Sequence, residues 1–164
     1  MAPEKDAHCG YCGRAFAAGQ AWPRVCAGCG EVTYRNPLPV AVLLVPVGDG
    51  LLLVRRGIEP GKGRLAFPGG YINLGETWEQ AAVRETFEET GLRLRAGGVR
   101  CYRVLTSTDL EKLIVFGLAP PQPESVLQRF RVSDETTGWD LARGPRRLAF
   151  SLHTRVLKEY FASK

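Results

Sequence analysis

"GGYINLGETWEQAAVRETFEETGL", residues 69–92, decides the fold. Thr77 followed three residues later by Gln80 forms a capping-box pattern, and Gly91 stands where a helix commonly stops. The segment between them therefore predicts a helix of about four turns. At roughly 100° per residue, Trp78, Ala81 and Ala82 share one side, and the same arc continues into Glu85, Glu88 and Glu89. An apolar stripe thus becomes an acidic one. Facing solvent, such a cluster is an ordinary charged helix end. Facing inward, like charges repel and lose hydration, a cost relieved by protonation or a bound cation. Two features favour the inward reading: the carboxylates prolong the apolar face, and the glycine-rich "FPGG" lies just upstream. Carboxylates this close suit hard cations such as Mg²⁺ or Mn²⁺, and that chemistry fits a phosphorylated substrate.

Elsewhere the chain reads as sheet with a second helix. "VAVLLVPV" and "LLLVRR" predict two strands around the turn "GDG", aliphatic enough for a sheet covered on both faces. "GIEPGKGRLAFPGG" reads as a loop. "VRCYRVLTST" and "KLIVFGLAP" predict two more strands, "PPQPES" a loop, and "VLQRFRVS" another strand. In "AFSLHTRVLKEYF", Leu152, Val156, Leu157, Tyr160 and Phe161 fall at helical spacing, so an amphipathic helix should close the fold. The expected architecture is an α/β mixed sheet with a helix on each side.

The first 36 residues follow a different logic. Four of the five cysteines form Cys9-x-x-Cys12 and Cys26-x-x-Cys29, each pair followed by glycine. This spacing suits one tetrahedral Zn²⁺ held by four thiolates. Two disulfides are the competing reading, which the lack of an apolar secretory signal in "MAPEKDAHCGYC" argues against. A closed four-sulfur site leaves no position for substrate, so its role would be to fold an element too small for its own core. His8 is then surplus and should lie on the surface, and Cys101 should be a half-buried strand residue. The prolines of "YRNPLP" mark the junction, giving a zinc ribbon over residues 1–36 and a second domain over 37–164.

Length and composition set limits on function. With 164 residues, 45% hydrophobic and 24% charged, the chain resembles ordinary soluble proteins and has room for one large core. No run approaches the roughly 18 apolar residues of a membrane span, so a cytoplasmic protein is expected, with no membrane partner. The net charge of +5 comes from dispersed residues, and "GRAFAAGQAWPRV" shows little interleaving of aromatic and basic groups. Both observations argue against nucleic acid as a partner.

Gly70, five residues, Glu76, seven residues, then Arg84-Glu85-x-x-Glu88-Glu89-x-Gly91-Leu92 resembles the signature box of the Nudix hydrolase superfamily. Thr86, where the family usually carries a bulky aliphatic residue, is the one departure. The resemblance covers about residues 38–162 and implies an α/β/α sandwich. It further implies that Glu85, Glu88 and Glu89, joined by the backbone carbonyl of Gly69, hold Mg²⁺ or Mn²⁺, and that Arg84 and Glu76 orient them. A downstream carboxylate often joins such sites; Glu124 is the first candidate and Glu135 the second, each also readable as a solvated acid. Arg55 and Arg56 are candidates for substrate phosphates, or else exposed strand-end arginines. Tyr71 could stack on a base or simply pack.

The expected activity is metal-assisted hydrolysis of a diphosphate linkage in a nucleoside diphosphate joined to another group. Zinc-ribbon Nudix chains resemble two branches, the NADH diphosphatases and the FAD- and ADP-ribose-type diphosphatases. The "SQPWPFP" signature of the first is missing from "RAGGVRCYRVLTSTDLEKLIVFGL". "YRNP", "PPQPES" and "LAFSLHTRVLKEYF" resemble segments of the second, although Leu65 replaces its usual tryptophan. ADP-ribose or FAD is therefore favoured; an NADH/NAD diphosphatase or a nucleoside triphosphate pyrophosphohydrolase is the alternative. Outside catalysis, the alternatives are a Nudix-like nucleotide sensor and a zinc-ribbon nucleic-acid-binding module. Enzymes of this kind often form dimers, so the resemblance also implies a homodimer as one available state. If apolar packing of the first helical turns fixes the acidic end, Trp78→Ala should lower metal-dependent activity about tenfold with every carboxylate intact, as read from initial rates.

Overall fold

The computed structural model describes residues 5–163. They form two compact units, one ending at Pro37 and the other beginning at Leu38. In the first, β1 (Arg24–Val25) and β2 (Val32–Thr33) make a two-stranded antiparallel ribbon. Gly13 and Gly30, one after each Cys-x-x-Cys pair, take left-handed φ values of 75° and 77° and donate to the carbonyls of Cys9 and Cys26. Arg24 is buried, with its guanidinium 4.3 Å from the centre of the Trp22 ring.

The second unit comprises β3 (Leu38–Leu44), β4 (Pro46–Val47), β5 (Gly50–Arg56), β6 (Leu65–Ala66) and β7 (Gly69–Tyr71), followed by helix α1 (Trp78–Thr90). Strands β8 (Arg100–Thr106), β9 (Lys112–Leu118) and β10 (Thr136–Ala142) come next, and helix α2 (Ser151–Ala162) closes it. One sheet runs β7-β3-β9-β8, mixed because β3 lies parallel to β9 and antiparallel to β7. In the other, β5 pairs antiparallel with β10, β4 and β6.

Alternation along the strands explains the sandwich. Ala41 and Leu43 of β3 and Leu52 of β5 face the cluster that includes Ala81 and Ala82 of α1. Val42 and Leu44 of β3 and Leu51 and Leu53 of β5 face the cluster that includes Val156, Leu157 and Tyr160 of α2. Each strand is therefore apolar on both faces, which is why it reads as a continuous aliphatic run.

Four expectations change. The two aliphatic runs around "GDG" are not a simple hairpin: the chain leaves the first sheet after Leu44, and only β4 pairs with β5. The segment 57–70 contains β6 and the start of β7, strands of two and three residues that are legible only through their partners. "VLQRFRVS" is not a strand; Glu124–Arg129 forms a 3₁₀ turn, and the strand is β10 further on. Gly138, Asp140 and a bulge between Thr136 and Gly138 mask β10's pattern, and pairing with β5 overrides its weak propensity. Cys101 is exposed rather than half-buried because β8 is an edge strand.

Helix α1 follows its local signals. Thr77 and Gln80 form both bonds of the capping box, and Gly91 ends the helix at φ 75°. The half-buried Trp78 ring lies over Gly117 of β9. A Cβ on Gly117 would stand 2.9 Å from Val99, 3.0 Å from Trp78 and 3.1 Å from Leu43. Gly117→Ala should therefore cost about 1–3 kcal/mol of stability, measured as a lower urea midpoint.

Candidate active site and four-cysteine centre

The acidic end of α1 meets the backbone of β7 at unusually short range. A Cβ on Gly70 would lie 2.4 Å from the Glu85 carboxyl carbon, and one on Gly69 would lie 2.4 Å from the Ala41 carbonyl oxygen. Glycine at 70 lets the strand slide under the Glu85 carboxylate, and glycine at 69 lets it lie close against β3. The Gly69 N–H, rather than its carbonyl, makes the observed contact, donating to Glu89 Oε2 at 3.0 Å.

The three carboxylates occupy three environments. Glu89 is buried, and loss of hydration pushes its carboxyl up to about 8 despite the Gly69 bond. Glu85 lies at the edge of a cavity, its carboxyl also raised by burial while Arg84 Nη1 donates to it at 2.7 Å. Glu88 is exposed and accepts from the same nitrogen at 3.1 Å. The stripe thus does not emerge uniformly into a cleft. Helix rotation and the advancing β7 backbone seal Glu89 while leaving Glu88 in water.

Arg84 connects this group to Glu76. Its Nη2 and Nε donate to the two Glu76 oxygens at 2.6 and 3.0 Å, and Nη2 also reaches the Tyr71 carbonyl at 3.0 Å. These bonds, with the Asn73 amide, hold the Glu76 carboxyl down at about 2. Thr86 is fully buried without an unpaired hydroxyl, because its Oγ1 donates to the Ala82 carbonyl at 2.7 Å.

Glu85, Gly69, Gly70 and Tyr71 line a cavity of about 850 Å³ together with Arg56 and Glu135. Glu124, the first downstream candidate, is elsewhere: its carboxylate packs against Gly48, beyond the start of β5, whereas Glu135 lies beside the other end. Seven residues of β5 put roughly 20 Å between those ends. Glu135 is held at the cavity by its carbonyl, which accepts from the Gly57 N–H at 2.6 Å, and by the neighbouring Thr136 hydroxyl, which donates to the Glu89 carbonyl. Arg55 and Arg56 separate because successive strand residues point to opposite faces. Arg56 joins the cavity with its guanidinium 5.0 Å from the Phe150 ring centre; Arg55 lines a different depression with Arg64, Arg146 and Arg147.

His153 is the functional candidate missed in the sequence. It lines the cavity and is buried among Phe67, Phe116 and Phe150. The Phe67 N–H donates to its Nδ1 at 3.2 Å, and burial, then the charge of Arg56, lowers its pKa to about 3. Its position three and four residues before Val156 and Leu157, on the buried stripe of α2, was the available signal.

In the ribbon, the Sγ atoms of Cys9, Cys12, Cys26 and Cys29 all lie within 4.8 Å of one another. Cys9 to Cys29 is 3.7 Å and Cys12 to Cys26 is 3.6 Å. Those spacings exceed the roughly 2.05 Å of a disulfide and match the roughly 3.8 Å edge of a tetrahedron with 2.3 Å metal–sulfur bonds. The backbone N–H of Gly28, donating to Cys26 Sγ at 3.3 Å, is the leading cause that lowers that thiol to about 6. His8 is exposed. Among the described residues, only these four have metal-ligand atoms already gathered around one point; the α1 carboxylates share a face without doing so. No described helix is long and apolar enough to cross a membrane.

Two sheets between two helices, with carboxylates from one helix against a glycine strand, define a Nudix-type sandwich. The chain belongs to this family: the NUDIX domain model matches residues 36–142. A relative named NAD-capped RNA hydrolase NudC, from Edwardsiella ictaluri, is 34% identical over 141 residues, covering 85% of this chain and 48% of that protein. A NudC from Klebsiella pneumoniae subsp. pneumoniae is 33% identical over 88 residues, 53% of this chain and 34% of that protein. The chain thus spans about half or less of these relatives' length. A NUDIX hydrolase structure from Nitrosomonas europaea superposes with a TM-score of 0.71 at 22% identity, covering 96% and 91% of the two chains. A bifunctional NMN adenylyltransferase/ADP ribose pyrophosphatase from Francisella tularensis, complexed with AMP and a Mn ion, gives 0.57 at 28% identity, covering 66% of this chain and 34% of that one.

The Glu89 environment has a consequence for metal-free stability. Because its carboxyl is raised from 4.5 to about 8 on folding, the native state binds more protons than the unfolded state across that window. This contribution is fully present below pH 4.5 and is lost as pH rises through 8. Glu89→Gln, which keeps an acceptor for Gly69, should raise metal-free stability above pH 8 by a few kcal/mol and leave it nearly unchanged near pH 4.5, measured by denaturant unfolding.

Proposed function

We propose that the chain hydrolyses the diphosphate linkage of a nucleoside diphosphate joined to another group, with ADP-ribose or FAD ahead of NADH. The observation that carries this reading is the seating of Glu85 over Gly70 at the rim of an 850 Å³ cavity that also holds Arg56 and Glu135. A diphosphate needs positive charge on one side and an acceptor for a water proton on the other. Arg56 is proposed, of the cavity cations Arg56 and Lys112, to contact the phosphates; Glu135 is proposed as the proton acceptor in place of Glu124. Tyr71, half-exposed at the rim, is proposed to cover a ring.

Glu85, Glu88 and Glu89, with the Gly69 carbonyl, are proposed to hold Mg²⁺ or Mn²⁺. Hard oxygen donors and a buried carboxyl with a raised pKa fit a cation. When bound, such an ion supplies charge to polarise the diphosphate and acidify water. Arg84 restrains Glu85 and Glu88 through one nitrogen while Glu76 anchors it from the other side. Cys9, Cys12, Cys26 and Cys29 are proposed to bind Zn²⁺ as a structural ion.

A second reading, cleavage of NAD-type substrates including NAD-capped RNA, is favoured by the names of the relatives. The missing "SQPWPFP" segment favours the first. Product analysis in Mg²⁺ with ADP-ribose, FAD, NADH, NAD-capped RNA and nucleoside triphosphates separates them. ADP-ribose or FAD should turn over fastest, and Glu88→Gln should lower that rate about 10- to 100-fold. Turnover of no substrate would refute the enzyme, and an undiminished variant would refute the site.

A further inference from the structure

Buried polar groups normally have partners, and His153 has one too few. The residue is 6% exposed and lines the cavity wall. Because Nδ1 accepts from the Phe67 N–H at 3.2 Å, the neutral imidazole carries its hydrogen on Nε2. Among the described residues that Nε2–H has no hydrogen-bond partner, yet it is not among the fully enclosed, unsatisfied atoms. His153 is among the residues that line the cavity.

We propose that His153 is a substrate-binding residue whose Nε2–H donates to an uncharged acceptor, a carbonyl oxygen or ring nitrogen, on the planar heterocycle of the bound nucleotide. This rests on reading the cavity as a nucleotide site. The surroundings select the acceptor class. Phe67 and Phe150 flank the imidazole at 5.6 and 5.0 Å between ring centres, and Val40, Val42, Ile114 and Leu152 complete an apolar wall. A flat ring buries well there, whereas a phosphate would lose its hydration against hydrocarbon. The imidazole also stays neutral at physiological pH, since burial holds its pKa far below 6.5. A neutral donor in an apolar wall discriminates by leaving itself unpaired when the ligand lacks an acceptor.

Binding of AMP, nicotinamide mononucleotide and FMN to the full chain, without divalent ions, tests this separately from turnover. At least one should bind and shift the Nε2–H signal of His153 in ¹⁵N-edited NMR. His153→Phe, which keeps the ring volume but no donor, should weaken that ligand roughly tenfold. His153→Gln, which can accept from Phe67 and still donate, should stay within about threefold of the parent. An unmoved Nε2–H signal with all three probes overturns the proposal, as does unchanged affinity in a folded His153→Phe. If that variant does not fold, the NMR shift and the glutamine variant decide. A chain that binds a nucleotide through His153 but turns over nothing would refute the hydrolase while leaving this inference standing; turnover without the shift would do the reverse.

Discussion

The bond from the Gly69 amide to the buried Glu89 carboxylate is the contact on which the site depends. It joins strand β7 to helix α1. Gly70 has no Cβ, so the helix can bring Glu85 down onto bare backbone, and Gly69 has none, so β7 can lie close against Ala41 and Val42 of β3. The same closeness strips Glu89 of water and raises its pKa, so the packing and the electrostatics of this end of the helix have one origin. A group this costly to ionise is a poor choice for stability alone and a reasonable one for a site that receives positive charge.

Rigidity around that bond comes from both ends of α1. At the start, Trp78 over Gly117 and the buried Ala81 and Ala82 fix the helix against the sheets. At the finish, the Thr136 hydroxyl and the Arg131 amide cap carbonyls of Glu89 and Thr90, tying the segment before β10 to the helix end. Glu135 adjoins Thr136, so the tie that holds the helix also holds the downstream acid. Arg84 performs the electrostatic counterpart. By bridging Glu76, Glu85 and Glu88 it spreads one positive charge over three carboxylates, while the exposed position of Glu88 keeps that contact open to competition from solvent.

Features governed by local chemistry were legible in the sequence. The limits of α1, the paired cysteines and the double-faced strands each follow from a few adjacent residues: Thr77 with Gln80, Cys-x-x-Cys with glycine, unbroken aliphatics. Features governed by distant partners were not. β6 and β7 have two and three residues and exist because β5 and β3 offer them hydrogen bonds. Glu124 and Glu135 look equivalent as loop acids, and only the path of β5 separates them. Helical spacing placed three glutamates on one face, but spacing does not say how deep the neighbouring backbone comes, and that depth makes Glu89 buried and Glu88 wet. The polarity of His153 conceals its place on an otherwise apolar stripe.

The cavity is chemically divided along its length, and the division follows from which helix supplies each wall. The α1 side contributes Glu85, and the segment before β10 contributes Glu135; the α2 side contributes Phe150, Leu152 and His153. Arg56 stands between them, close enough to the Phe150 ring for a cation–π contact and close enough to the carboxylates to influence Glu89. With a divalent cation held by the α1 carboxylates as proposed, a molecule anionic at one end and flat and weakly polar at the other would satisfy both walls in one orientation. Reversed, it would set phosphate against phenylalanine and a bare ring against carboxylates, losing hydration at each end without replacement. The proposed substrate would thus be held in one orientation by residues of α1, of β5, of the segment before β10 and of the start of α2.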